Sequence, residues 1–353
     1  MEPPSASHAR RILGVLALLA TSTLFAAVLG ELVLRLLGHH GIPMEDLSDR
    51  IRPVDDPILD YRYVPYSVSW IGAIAYRYNG AGFRDVEHAV AKPPGVERIA
   101  VVGDSVSEGY GVPFHDVFAD DVQRRLGSSI EVLNIAMSGL NSPQEVHLLE
   151  TDGLRYQPDL VVLNFVLNDC DFYSLYKPAL AFGKKKDSEI GLLGIPVPPA
   201  VKRALKSSAL IYFVKERTDE LMASEDHEAV DYVASIWSKP ENRKKVSDSL
   251  EKLAALGRAH GFDAVVLIWP VLVDFESYPY REIHRWVAEQ AESLGIPAID
   301  LLPAFAEAGG RSRFFLSADD AFHPNGRGHD VAAAAFEHWY RIHRSPTSES
   351  PSG

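Results

Sequence analysis

A single cysteine, Cys170, stands among 353 residues. One thiol excludes an intramolecular disulfide and any zinc cluster built on cysteines. It follows an apolar run and reads as a small core residue. Basic charge is also scarce: 35 Lys and Arg against 48 Asp and Glu leave a formal net charge of −13. A nucleic-acid surface needs clustered Lys and Arg, so that partner class is excluded. The chain has no phosphate-binding Walker loop, no Gly-x-Gly-x-x-Gly fingerprint, no His-Glu-x-x-His helix, no Gly-x-Ser-x-Gly elbow and no internal repeat.

What is abundant is apolar sequence: 46% of residues are hydrophobic, enough for one large α/β domain plus extras. Part of it is N-terminal. Arg10 and Arg11 precede Ile12–Gly30, an uncharged run of 19 residues. A signal-peptide core spans about 7–15 residues and a membrane-spanning helix needs roughly 20. No small-x-small cleavage site follows, and Glu31 and Arg35 lie in a stretch that reads as a helix leaving the membrane. We therefore expect residues 1–11 in the cytoplasm, an uncleaved anchor over 12–37 and the rest outside, in a bacterial periplasm or at the cell surface. The alternatives are a cleaved signal, giving a secreted protein, a buried core helix and, from the arginine pair, twin-arginine export. Absence of disulfides outside the cytoplasm is unusual but allowed.

Residues 38–96 are rich in Pro and Tyr with little periodicity, as expected of a linker followed by an extension packed on the main domain. Within them, Asn79 to Arg84 (Asn-Gly-Ala-Gly-Phe-Arg) carries strong turn signals. Residues 345–353 read as a disordered tail. Between these ends, 97–344 alternates apolar runs with amphipathic helical patterns. The expected strands are Arg98–Val102, Ile130–Ile135, Leu160–Val166, Ala264–Trp269 and Ile296–Leu301. Ser142-Pro143-Gln144-Glu145 reads as a capping box with Pro at the first helical position. Val246, Leu250, Leu253 and Leu256 recur at helical spacing, as do Ile283, Val287, Ala291 and Leu294. This rhythm predicts a parallel sheet with helices on both faces. Asp169 to Phe262 is too long for one crossover helix, so 170–245 reads as an inserted subdomain. It either forms a lid over the substrate pocket or packs on its own apolar residues. Lys184 to Lys186 within it reads as a solvated loop.

Polar residues follow the expected strands: Ser105 the first, Ser138 and Gly139 the second, Asn168 and Asp169 the third, Asp320 and His323 the fifth. In an open parallel sheet these positions share the carboxyl edge, where ligands bind. The set suits acyl transfer. A serine hydroxyl needs an imidazole to take its proton, and the imidazole needs an orienting carboxylate. Ser105, His323 and Asp320 supply these groups. The backbone N–H groups of Ser105 and Gly139 and the side-chain amide of Asn168 can face an oxyanion. Alone, Ser105 also reads as a helix cap and Asn168-Asp169 as an ordinary turn. His323 also reads as a satisfied loop histidine. Asp319, Asp320, His323 and His329 are conceivable metal ligands, the weaker idea because they lack a recognised spacing. Trp269-Pro270 lines the pocket or belongs to the core.

In order, these blocks resemble the SGNH/GDSL hydrolase superfamily. Gly103-Asp104-Ser105-Val106-Ser107-Glu108-Gly109 is similar to its first block, with Ser107 where Thr is commoner, and Gly139 to its second. Asn168-Asp169 is similar to the third, with Val166 where the pattern often has Gly, and Asp320-Ala-Phe-His323 to the last. The resemblance spans roughly residues 96–343. The apolar N-terminus, the Asn79–Arg84 stretch and the Gly-Tyr-Gly-Val-Pro113 run look like bacterial membrane-anchored members. The resemblance implies a flavodoxin-like three-layer α/β/α sandwich of five parallel strands. It implies a serine esterase or acyl-ester hydrolase of the cell envelope that needs no cofactor or metal. Its substrate is then a small-molecule, lipid or acylated-glycan ester. Two other readings remain: an O-acyltransferase using the same residues on an envelope glycan or lipid, and a catalytically silent envelope binding module.

Overall fold

The computed structural model describes residues 6–37, 51–71, 74–171, 207–211, 213–214, 217, 227–316 and 320–344. The linker up to residue 50, the lysines 184–186, most of 172–226 and the tail 345–353 lie outside the described residues.

The apolar, β-branched runs form the sheet because they are buried on both faces. Strands β1 (Ile51–Pro53) and β2 (Tyr61–Tyr63) pair as one antiparallel hairpin, and β3 (Val68–Ile71) and β4 (Ile74–Arg77) as another. The main sheet comprises β5 (Glu97–Gly103), β6 (Ile130–Ala136), β7 (Leu160–Phe165), β8 (Asp263–Ile268) and β9 (Ala298–Asp300). Its order is β6-β5-β7-β8-β9, parallel throughout. This is the flavodoxin-like order, with its topological switch beside β5. All five expected strands are present. The last is shorter than expected, because the Ile296 N–H closes the end of the preceding helix on Ala291 O and cannot join the ladder.

Helices form two layers. On one face α3 (Phe118–Leu126) packs against α9 (Gly326–His343), with α8 (Leu302–Ala308) beside it. On the other, α6 (Pro240–His260) packs on α4 (Ser142–Leu148) and α7 (Arg281–Ser293). The helical spacing proves to be the buried stripe: Val246, Leu250, Leu253 and Leu256 of α6 face the core. The cap of α4 is one residue earlier than expected. Asn141 is the N-cap, exchanging bonds with Gln144, and Pro143 lies one place beyond the first helical position. Ser142 becomes the first helical residue, its N–H and hydroxyl both donating to Asp169 O.

Helix α5 (His227–Trp237) falls within the expected insertion, and its Val233, Ile236 and Trp237 are buried. The Trp237 indole donates to Leu167 O at 2.7 Å, tying α5 to the loop after β7. The first residues of α6, the crossover into β8, lie inside the range 170–245.

The extension seals the edge strand β6. Asp85 accepts the Asn134 N–H at 2.7 Å, and His88 sits between Asp85 (3.0 Å) and Glu131 (3.1 Å). At the N-terminus, α1 spans Ala6–Leu36. Its segment Gly14–Leu36 contains an 18-residue window of mean hydropathy 2.0, none of it buried. At 1.5 Å per residue it is about 35 Å long, enough to cross a bilayer, as either an anchor or a signal sequence would.

Candidate active site

The first site residue is placed by a sharp strand-to-helix turn. A Cβ on Gly103 would stand 2.2 Å from Ser107 Oγ and 3.0 Å from Asn164 O, so only glycine lets helix α2 (Ser105–Glu108) start against the sheet. Asp104 caps α2, its Oδ1 accepting the Val106 N–H at 2.9 Å. Capping therefore falls to Asp104, and the Ser105 hydroxyl is free for other partners.

That hydroxyl meets the C-terminal loop. His323 Nε2 lies 2.9 Å from Ser105 Oγ, and His323 Nδ1 lies 2.8 Å from Asp320 Oδ2. Asp320 also shapes its own loop, because its Oδ1 accepts the N–H groups of Phe322 and His323, both at 3.0 Å. The loop is fastened to the segment after β8 by Leu272 N–H donating to Ala321 O at 2.7 Å. With Asp320 holding a proton on Nδ1, Nε2 is the acceptor facing the serine.

Burial disfavours the charged form of His323, but the hydrogen bond and charge of Asp320, with Asp104, outweigh it and raise its pKa above the ordinary 6.5. Burial likewise pushes Asp320 up, yet the bonds and charge of His323 prevail and lower it. Beneath Ser105 lies a group of buried carboxyls. Burial raises Asp104, against the bond from Val106 and the charge of His323. Glu145 and Asp169 are raised well above their usual range, by burial first and then by neighbouring carboxyls. Asp104 Oδ2 lies 3.1 Å from Ser105 Oγ. The serine hydroxyl thus has two acceptors within reach, Asp104 Oδ2 and His323 Nε2.

Gly139, in the turn after β6, has φ +77°, a left-handed backbone that glycine adopts freely. Asn168 follows β7 in a turn closed by the Asp169 N–H on Val166 O, with Val166 N–H donating to Asp169 Oδ2 at 2.6 Å. The Asp169 carboxylate thus builds the turn around Val166. Asn168 Oδ1 is buried without a hydrogen-bond partner among the described residues. The Tyr110 ring flanks the imidazole at 4.5 Å between ring centroids, and Tyr232 of α5 packs edge-on against the neighbouring Phe322 at 6.0 Å.

Other candidates fall away from this cluster. Trp269 is buried against Phe118, Phe305 and His329 and belongs to the core. His329 is wholly buried, its Nδ1 accepting the Phe118 N–H, and burial drives its pKa down to about 3. Asp319 lies outside the described residues. Cys170 is buried, and burial pushes its thiol up to about 12. Sequence reasoning missed the cap supplied by Asp104, the partners of Glu108 and the burial of Glu145. Glu108 stood inside the first block, but nothing in its spacing shows what it binds.

Comparison with known proteins gives one family match: the model of the GDSL-like Lipase/Acylhydrolase family matches residues 101–331. No curated protein matches significantly. Among solved structures, the chain is similar to the lipase/acylhydrolase from Enterococcus faecalis, with 18% identity, TM-score 0.42 and coverage of 72% of this chain and 100% of that one. It is similar to a catalytic mutant of Axe2, an acetylxylan esterase from Geobacillus stearothermophilus, with 17% identity, TM-score 0.41 and coverage of 70% and 95%. A third likeness is to LAE5, an alpha/beta hydrolase enzyme from the metagenome of Lake Arreo, Spain, with 14% identity, TM-score 0.41 and coverage of 70% and 96%.

Proposed function

The chain belongs to the GDSL-like lipase/acylhydrolase family, and on that premise we propose that it cleaves acyl esters through Ser105, His323 and Asp320. The observation that carries the reading is the continuous contact from Asp320 through His323 to Ser105. Ser105 Oγ attacks the ester carbonyl while His323 Nε2 takes its proton. Asp320 holds the imidazole and stabilises the imidazolium. The oxyanion is met by the backbone N–H groups of Ser105 and Gly139 and the amide of Asn168. His323 then protonates the leaving alcohol, and water resolves the acyl-enzyme with His323 again as base. No cofactor takes part.

The hydrolase unit is residues 97–344, with 170–245 inserted. The substrate is a small-molecule, lipid or acylated-glycan ester, received beside the rings of Tyr110 and Tyr232. Helix α1 serves as a membrane anchor with the hydrolase unit outside the cytoplasm. One contact favours retention over cleavage. Glu31 accepts Ser208 Oγ–H and the N–H groups of Ala209 and Leu210 at 2.7–3.1 Å, and Arg35 donates to Ser207 O. Removing α1 strips these donors of their acceptor.

The test is fluorophosphonate labelling of the full-length protein in detergent, beside a chain-length series of nitrophenyl esters and acetylated polysaccharides. Labelling and turnover that vanish in Ser105→Ala support the reading. Labelling that survives Ser105→Ala identifies another serine as the nucleophile, and an unlabelled wild type leaves a binding module. Acyl groups recovered on an added glycan rather than as free acid identify an O-acyltransferase.

A further inference from the structure

Glu108 closes helix α2, three residues after the nucleophile, and is buried. Four donors converge on its carboxylate. Its Oε2 accepts Ser138 N–H at 2.7 Å, Ser138 Oγ–H at 2.5 Å and Tyr63 Oη–H at 2.7 Å, and its Oε1 accepts Tyr78 Oη–H at 2.8 Å. A carboxylate only accepts, and here three donors crowd Oε2 while one reaches Oε1, so both oxygens are engaged. Ser138 is gripped on its other side as well, because Tyr61 Oη donates to Ser138 O. The Tyr63 and Tyr78 rings lie 4.4 Å apart, and Tyr61 and Tyr63 are both buried on β2. The residue after Ser138 is Gly139, in its left-handed turn.

We propose that Glu108, held by Tyr63 and Tyr78 of the N-terminal extension, is a positioning residue that aims the Gly139 N–H at the oxyanion. This rests on the acyl-ester reading above. Two features carry it. The same four-residue helix presents Ser105 at one end and grips the Ser138-Gly139 turn at the other, so nucleophile and donor are set against one another by one rigid piece. The grip acts on the peptide N–H of Ser138, one peptide unit before the Gly139 N–H. A glycine turn has little stiffness of its own and takes its orientation from such tethers. Misplacing a donor by about 1 Å costs on the order of 10²-fold in rate.

The experiment compares full-length wild type, Glu108→Ala, Glu108→Gln and Tyr63→Phe. Four quantities are read: kcat per fluorophosphonate-titrated site, KM, affinity for an alkyl boronic acid whose tetrahedral adduct places an oxygen in the oxyanion site, and Tm. Glu108→Ala is expected to lower kcat by about 10–10²-fold with KM nearly unchanged, and to weaken boronate binding in parallel. Glu108→Gln keeps an acceptor for Ser138 and recovers most of the loss. Tyr63→Phe falls between. The pH profile does not move, because His323 is untouched. A drop in Tm with kcat per site and boronate affinity unchanged assigns Glu108 a purely structural role and overturns the proposal. Should Glu108→Ala not fold, Tyr63→Phe decides by the same criterion. A wild type that neither labels nor turns over is the failure of the acyl-ester reading itself, a different result.

Discussion

His323 Nε2 and Ser105 Oγ stand 2.9 Å apart although 218 residues separate them in the chain. The sheet makes the meeting: β5 delivers Ser105 to its carboxyl edge, and the loop before α9 returns across that edge, pinned at Ala321. Nothing local to either residue requires the other, so each can be altered without dismantling its surroundings.

Ser105→Ala and His323→Ala are each expected to lower kcat by on the order of 10⁴-fold or more while leaving Tm within a few degrees. Steady-state hydrolysis of a nitrophenyl ester beside a thermal melt checks this. A loss below about 10²-fold removes that residue from the mechanism.

The acid limb of the pH–rate profile should report His323. Its raised pKa means that protonation, and with it loss of the base, sets in at a pH above the ordinary 6.5. Asp320→Asn removes the main stabilising charge, so the limb should shift to lower pH while kcat falls. A profile flat across the neutral range excludes a histidine base.

Asn168→Ala is expected to reduce kcat by about 10²–10³-fold, the usual effect of losing one oxyanion donor, with little change in KM. Kinetics on a short-chain ester decide it. A loss under about tenfold removes Asn168 from the oxyanion site.

His88 should make stability depend on pH. Burial disfavours its charge, but Asp85 and Glu131 prevail and raise its pKa above 6.5 in the folded chain. The stabilisation it contributes is therefore complete below 6.5 and is lost as pH rises through the folded value. His88→Gln should lower Tm more at about pH 5.5 than at about pH 9. Equal differences at both ends exclude a charged His88.

The sheet was legible because its strands are runs of β-branched residues buried on both faces, a pattern with few competing explanations. Ser105 was legible because it follows a strand end, and Asp320 and His323 because they stand three apart in one block, although α8 separates that block from β9. The one-residue shift of the α4 cap was not, since it depends on Asp169 O engaging Ser142, a contact between loops. Glu108 was illegible for the same reason: its partners Tyr63, Tyr78 and Ser138 come from three separate segments, and their pairing exists only after folding. The mutual burial of Asp104, Glu145 and Asp169 was illegible too, because it is set by packing between segments far apart in the chain.

Arg84 comes from the Asn79–Arg84 turn, lies 3.8 Å over the Tyr76 ring and donates to the carbonyls of Glu108, Gly109 and Val112. It thereby satisfies the end of helix α2 from a segment that precedes the family-matched residues 101–331. Any chimera or shortened expression clone cut at β5 would keep every signature block and yet leave those carbonyls open to solvent. A faithful transplant of this site must therefore carry Tyr76 and the Asn79–Arg84 turn with it.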